Sequence, residues 1–179
     1  PLLDYVERRG KWPDNKNRWC TSEFKRGPGG RLLTELRKQR NGPILQVFGF
    51  RADESPARAK RTALCLNNRF SNTLSPLVDW LPIHQWNQEQ VWADIRVSGV
   101  PHHFAYELGM PRLSCVFCIF ASQPALMLAG HHNRELLDKY CEVEEVTGHD
   151  FQHGKSLRSI RDRLNAGEEP PKIIPTWRM

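Results

Sequence analysis

Asn41-Gly42-Pro43-Ile44-Leu45-Gln46-Val47-Phe48-Gly49-Phe50-Arg51-Ala52-Asp53-Glu54-Ser55-Pro56-Ala57-Arg58 is the stretch that decides the fold. Its first half, Ile44 to Phe50, is short, β-branched and aromatic, and turn residues bound it, so it reads as a strand buried on both faces. Ahead of it, Leu32 to Arg40 places Leu32, Leu33 and Leu36 at helical spacing. That helix is expected to open after Pro28-Gly29-Gly30 and to stop at Asn41-Gly42-Pro43. A helix ending in Gly-Pro and feeding a buried strand is the rhythm of a parallel α/β sheet. In open α/β sheets ligands bind where the strands end, and Arg51, Ser55 and Arg58 fall there. Two guanidinium groups and a hydroxyl in that place suit phosphate or sulfate. The plainer alternative is a helix start capped by Asp53 or Ser55, with the arginines merely exposed.

Outward from this stretch, Trp80-Leu81-Pro82-Ile83-His84-Gln85-Trp86 is a second strand candidate, which Pro82 confines to a sheet edge or a strand start. It leads into a helix whose N-cap is Asn87, with Gln90 three residues on. Val91, Trp92 and Ile95 form the apolar stripe of that helix, and Ser98-Gly99-Val100-Pro101 ends it. Two further helices are expected. One runs from Asn133 to Thr147, with Leu136, Leu137, Tyr140, Cys141 and Val143 inward and Gly148 as the stop; the other runs from Ser156 to Ala166, with Leu157, Ile160 and Leu164 aligned before Gly167. No repeat occurs, and the polar, Pro-rich tail from Ala166 to Pro175 is the one biased tract. Residues 1–179 read as a single domain, with an α/β part over 1–118 and a helical part over 119–179.

The 179 residues suffice for one ordinary hydrophobic core. No apolar run approaches the roughly 20 residues of a membrane span, and no signal peptide opens the chain, so it reads as a cytoplasmic protein without a membrane partner. Lys and Arg outnumber Asp and Glu 16 to 7 over residues 1–70, and the ratio inverts to 10 to 13 over residues 71–179. Such asymmetry favours a phosphate-bearing partner at the front of the chain, although a solvated basic face has the same composition.

The five cysteines, an odd number, argue against a secreted disulfide scaffold. Cys115-Val116-Phe117-Cys118 is the sharpest local motif, since thiolates three positions apart reach one metal centre or form a redox pair. One such pair is half a site. Of the remaining cysteines, Cys141 sits on an apolar helical stripe and Cys65 follows Ala63-Leu64, so both read as buried thiols. Cys20 differs, lying in the basic stretch Asn17 to Arg26, where cations favour the thiolate. The adjacent pairs His102-His103 and His131-His132 form no metal-binding helix face, and are better placed as substrate contacts near Tyr106. Trp86 and Trp92 read as core, whereas Trp12 and Trp19, beside Lys16 and Arg18, are candidates to stack on a base.

Taken in order, these residues resemble the C-terminal two-thirds of the phosphoadenosine phosphosulfate (PAPS) reductase family, within the adenine nucleotide α-hydrolase-like, PP-loop ATP pyrophosphatase superfamily. The resemblance runs from about Arg18 to Gly154. It rests on Arg18-Trp19-Cys20-Thr21 with Lys25-Arg26, on Gly49 to Ser55 with Arg58, and on Pro82 to Trp86 with Val91-Trp92 and Gly99-Val100-Pro101. Tyr106-Glu107-Leu108-Gly109-Met110, Arg112, Ser114 and Cys115 to Cys118 complete it. The nearest flavour is that of phage reductase-like proteins and of the subunit that places sulfur on DNA in phosphorothioation systems.

The resemblance implies a Rossmann-like parallel sheet. Arg51 and Arg58 would be its anion-holding arginines, and Lys25 and Arg26 its basic lip over the nucleotide. Cys20, Cys115 and Cys118 would carry a [4Fe-4S] cluster, with Cys141 as the fourth ligand that closes it; three cysteines alone resemble the open-iron sulfur transferases that act on tRNA. Two departures stand out. The chain contains no Ser-Gly-Gly-x-Asp-Ser type PP-loop, which is expected upstream of Pro1 or on another chain, and no C-terminal Glu-Cys-Gly-x-His tail. The implied function is sulfur chemistry on ATP or PAPS, either sulfonucleotide reduction or sulfur transfer to DNA or tRNA, with a sulfur-donor or electron-donor protein as partner. The alternative is a zinc-stabilised nucleic-acid-binding module without catalytic activity.

Overall fold

The computed structural model describes residues 2–173 and divides them into two units. Residues 26–101 form one; residues 2–25 and 102–173 form the other.

The unit of residues 26–101 is built on a three-stranded sheet. Strand β1 (Ile44–Val47) starts where the turn Asn41-Gly42-Pro43 requires, but it is shorter than expected, half-buried on one face and exposed on the other. Strand β2 (Leu64–Leu66) follows, and β3 (Leu77–Trp80) is central, so that the order is β1-β3-β2. β1 runs parallel to β3, with Ile44 opposite Leu77 and Val47 opposite Trp80. β2 is antiparallel to β3, with Leu64 opposite Trp80 and Leu66 opposite Val78. The sheet is therefore mixed, and three expectations are corrected. The second strand precedes Pro82 instead of containing it, because a proline cannot donate to a central ladder; residues 82–85 form a turn. Cys65 is exposed on β2, not buried. Leu45 and Val47 are more than half exposed, so β1 is covered on one side alone.

Helix formation also begins earlier than the leucine pattern predicts. α2 (Trp19–Thr21) passes through a π-helical turn (Ser22–Arg26) into α3 (Gly27–Gln39). Pro28 falls in the first turn of α3, where its missing N–H is no loss, so Pro28-Gly29-Gly30 opens the helix and does not break the chain before it. The short helix α4 (Pro56–Ala59) precedes β2. α5 (Gln88–Ser98) follows its sequence signals closely: Asn87 Oδ1 accepts from the Gln90 N–H and Gln90 Oε1 accepts from the Asn87 N–H, both at 2.8 Å, and Gly99 ends it in the left-handed region. Leu33, Leu77, Leu81 and Trp92 are the buried apolar residues of this unit.

The other unit is helical. Besides α2 it holds α1 (Leu2–Arg9), α6 (Gln123–His132), α7 (Arg134–Thr147) and α8 (Leu157–Asn165). α7 packs on α1, α6 and α8, and α6 also packs on α8. Leu126, Met127, Leu137, Cys141, Leu157 and Ile160 are essentially inaccessible at the centre. α6 and α7 approach closely at Gly130, where a Cβ would stand 3.0 Å from Leu137 Cδ2. Trp12 and Trp19 belong to this core, which corrects the expectation that they stack on a base: Trp12 lies flat on Tyr140, 5.4 Å between ring centres, and donates from Nε1 to the His149 carbonyl. Trp86 is half-buried and Trp92 is buried, as a core role requires. The expected C-terminal part extends to residue 179, and its residues from 174 on lie outside those described. No helix among the described residues is long and apolar enough to cross a membrane.

Candidate functional site

Phe117 explains how the Cys-x-x-Cys loop is held. It is buried against Tyr140, 4.9 Å between ring centres, so the core anchors the middle of the motif while Cys115 stays exposed and Cys118 half-buried. Gln152 fixes the loop from the far side, donating from Nε2 to the carbonyls of Ile119 (2.9 Å) and Ala121 (2.8 Å). Cys20 follows the buried Trp19 on α2 and packs against the same core. Burial pushes the Tyr140 hydroxyl up to about 12, and the charges of Cys115, Cys118 and Cys20 push in the same direction. Two guanidinium groups serve the segment after the motif: Arg18 lies over the Phe120 ring at 4.6 Å, and Arg112 donates to the Phe120 carbonyl at 3.3 Å.

Cys141 points elsewhere. It is fully buried, and burial raises its thiol to about 12; the charged groups it senses are Arg161, Glu144, Asp138 and Glu145, with none of the other cysteines among them. Successive helix residues are about 100° apart, so Tyr140 and Cys141 address different sides of α7. Among the described residues no group of three or more His, Cys, Asp or Glu side chains is placed to hold a metal ion.

In the other unit, Arg51, Ser55 and Arg58 stand together at the carboxyl end of β1, with a 3-10 turn (Ala52–Glu54) between strand and α4. The arginines are oriented by the chain itself. Arg58 pairs with Glu54 and lies over the Phe50 ring at 4.6 Å, Arg61 shares that ring at 5.2 Å, and Arg51 reaches Asp53 at 3.4 Å. Burial alone would raise the Glu54 carboxyl, but the hydrogen bond from the Arg51 N–H and the charges of Arg58 and Arg51 hold it below its ordinary value. Ser55 Oγ accepts from the Arg58 N–H at 3.3 Å, which is the capping role. The loop thus combines both sequence readings: a capped helix start, and guanidinium groups held in place.

His84 supports that loop, a role which its sequence neighbours do not signal. It is buried, its Nε2 is 2.9 Å from the Arg58 carbonyl, and its Nδ1 is 3.2 Å from Gln85 Nε2. A carbonyl only accepts, so Nε2 carries the proton and Nδ1 accepts from the Gln85 amide. The Ala52 N–H donates to the His84 carbonyl at 2.8 Å, and both ends of the Arg51–Arg58 loop are tied to the turn after β3. Lys25 and Arg26 are exposed on the π-helical turn. His102 lies beside Tyr106 and 3.5 Å from Glu107, and His103 Nδ1 caps the turn Phe104–Tyr106 by accepting from the Ala105 N–H.

The sequence profile of the phosphoadenosine phosphosulfate reductase domain matches residues 5–121, which include the arginine loop, Cys20 and both cysteines of the motif. The chain belongs to that family. An uncharacterized 37.8 kDa protein of Escherichia phage 186 is 29% identical over 70% of this chain and 37% of its own length. An uncharacterized protein of Methanocaldococcus jannaschii is 28% identical over 95% of the chain and 38% of its own length. Adenosine 5′-phosphosulfate reductase 2 of Bacillus subtilis is 25% identical over 68% of the chain and 48% of its own length. The chain spans about two fifths of the length of the first of these curated relatives.

If the arginine loop holds the phosphate or sulfate of an adenine nucleotide, as the sequence predicts, Arg51→Ala should weaken nucleotide binding about 30- to 1000-fold, roughly 2–4 kcal/mol for a lost charge-assisted contact. Calorimetric titration of ATP and PAPS into both proteins measures this; a thermal melt should register a much smaller change.

Proposed function

We propose that this PAPS reductase-family chain is the cysteine-bearing part of an enzyme that performs sulfur chemistry on an adenylylated or sulfonucleotide substrate, with an iron–sulfur cluster at Cys20, Cys115 and Cys118. The observation that carries the reading is that the family profile spans Cys20, Cys115 and Cys118, with Cys20 packed on the core in which Phe117 of the motif is buried, in a chain whose relatives include proteins named adenosine 5′-phosphosulfate reductases. A second observation fits the same group: Trp19 Nε1 is buried without an acceptor among the described residues, next to Cys20, and a sulfide-rich cofactor would provide one. The family of the chain and its relatives named reductases favour the enzyme over the zinc-stabilised binding module.

When bound, the cluster would supply electron-transfer or Lewis-acid chemistry at its irons, with Cys20, Cys115 and Cys118 as the residues that would hold it. Within their own unit, Arg51 and Arg58 are suited to hold the phosphate or sulfate oxygens of a nucleotide. Phe50 and Glu54 keep the Arg58 guanidinium in one orientation, and His84 keeps the loop closed onto the turn after β3. Lys25 and Arg26 add positive charge for the nucleotide, and Ser55 is a capping residue whose hydroxyl proton is free for a phosphate oxygen. The PP-loop half of a Rossmann-like sheet, a cytoplasmic setting and an electron- or sulfur-donor protein complete the reading. Sulfonucleotide reduction is the branch that the named reductases support.

The test is turnover. The full polypeptide, loaded anaerobically with iron and sulfide, is expected to release sulfite from adenosine 5′-phosphosulfate or PAPS when a dithiol reductant is present. Sulfur incorporation into tRNA or DNA from ATP and a sulfur donor, without sulfite release, would assign the transferase branch instead. Neither activity from iron-loaded protein would remove the proposal.

A further inference from the structure

Just past α4, Arg61 brings a third guanidinium to the arginine loop. It lies over the Phe50 ring at 5.2 Å, and Arg58 lies over the same ring at 4.6 Å. Phe48 stacks on Phe50, ring centres 4.9 Å apart and planes 3° from parallel, so the ring that both arginines share is itself held. The backbone beneath Arg61 is tied as well. Its N–H donates to the Arg58 carbonyl at 3.0 Å, the oxygen that His84 Nε2 also reaches at 2.9 Å. Arg61 thus combines an exposed side chain with a fixed place in the loop.

Charge sets Arg61 apart from the other two arginines. Arg51 reaches Asp53 at 3.4 Å and Arg58 pairs with Glu54, so each carries a counter-charge. The Glu54 carboxyl is held below its ordinary value and is ionised at neutral pH. Among the described residues no carboxylate pairs with Arg61 or with its neighbour Lys60. From Phe50 to Arg61 four cations, Arg51, Arg58, Lys60 and Arg61, face two carboxylates, which leaves a surplus of two positive charges. Two guanidinium groups on one ring repel each other, and Glu54 offsets only one of them. A negative group bound beside Arg61 relieves that repulsion.

We propose that Arg61, seconded by Lys60, receives a phosphate monoester of the nucleotide, and that this contact makes the chain select PAPS over adenosine 5′-phosphosulfate. The proposal rests on the reading of the arginine loop as a nucleotide site and adds to it a residue and a choice of substrate. The two nucleotides share the phosphosulfate, and PAPS alone bears a further phosphate monoester, a group that carries about −1.5 to −2 charge near pH 7. Arg51 and Arg58, each already matched by a carboxylate, suit the more weakly charged phosphosulfate oxygens, whereas the surplus at Arg61 and Lys60 equals the charge of the monoester. A guanidinium presents its N–H donors to phosphate oxygens as a fork, and the ring beneath it reduces the ordering needed to bind. This sets the chain apart from those relatives whose names specify the nucleotide without that phosphate.

Calorimetric titration of PAPS and of adenosine 5′-phosphosulfate, without reductant so that neither is consumed, tests this on the full polypeptide and two variants. The unaltered protein is expected to bind PAPS about 10- to 100-fold more tightly than adenosine 5′-phosphosulfate, the range of one charge-assisted contact. Arg61→Gln should bring the two affinities within about threefold of each other by weakening PAPS alone. Arg61→Lys should keep part of the preference, because an ammonium retains the charge and gives up the fork. Arg61 is exposed, so the melting temperature of Arg61→Gln should match that of the unaltered protein. Equal affinities in the unaltered protein, or a preference that survives Arg61→Gln, would overturn the proposal and leave the nucleotide site in place. So would an Arg61→Gln change that weakens both nucleotides alike. Binding of neither nucleotide by the unaltered protein would remove the nucleotide reading of the arginine loop, and this proposal with it.

Discussion

Replacing both Cys115 and Cys118 by serine is expected to abolish the broad visible absorbance that anaerobic loading with iron and sulfide gives the unaltered chain, and to release nearly all of the bound iron. A serine oxygen is a hard, weakly acidic donor, whereas iron–sulfur clusters are held by soft thiolates. The fold should survive the change. Cys115 is exposed and Cys118 half-buried, while the packing of the motif rests on Phe117, which both substitutions leave in place. Cys20→Ser should weaken the absorbance in the same sense, because Cys20 packs on the core in which Phe117 of the motif is buried. Cys141→Ala separates ligand from core. It should lower the melting temperature, since a fully buried side chain is trimmed, and leave the absorbance intact. Absorbance, iron content and a circular-dichroism melt on the four proteins decide the matter. Colour retained in the double variant would take the cluster away from this motif.

The parts of the fold that could be read from the sequence are those written in local chemistry. Asn87 with Gln90, Gly99 as a stop, Gly148 after Thr147 and Ser156 before α8 are signals spanning four residues or fewer, and each helix ends or starts where they direct. The errors lie where tertiary context decides. Leu45 and Val47 carry a buried-strand composition, yet no spacing in the sequence says what covers them. β2 is three residues long and pairs antiparallel with a strand further along the chain, which a local pattern does not reveal. Trp12 and Trp19 sit among basic residues, but their rings turn inward to Tyr140 and Tyr5. The site divides in the same way. The arginine loop follows from its place at the end of a strand, and Cys115-x-x-Cys118 from its spacing. Tyr140, Gln152 and His84 act through residues distant in sequence, and only the packed chain shows them.

Glu144→Ala is expected to destabilise the chain by about 3–5 kcal/mol, because it strips the acceptor from several buried donors at once. Glu144 is fully buried on α7, and its Oε1 accepts from the N–H groups of Phe151 at 2.7 Å and Leu157 at 2.8 Å. Its Oε2 accepts from the Arg158 N–H at 3.0 Å and lies 3.5 Å from the Arg158 guanidinium. One carboxylate therefore fastens the loop after Gly148 and the first turn of α8 to α7, and removing it leaves backbone donors dry and unpaired. Glu144→Gln should cost less, since one oxygen still accepts, but its amide turns a donor toward donors. The effect should reach the cysteines. Phe151 packs edge-on to Trp12 and Tyr140, and the next residue, Gln152, holds the Ile119 and Ala121 carbonyls just after Cys118. A loop released from Glu144 frees both. A chemical-denaturation curve reads the stability loss, and iron uptake at a temperature where the variant is still folded reads the coupling. Gln152→Ala, which leaves the Glu144 contacts in place, should reduce iron uptake while changing stability far less than Glu144→Ala. If both variants lose stability equally and load iron normally, the loop is a structural tie with no bearing on the cysteine site.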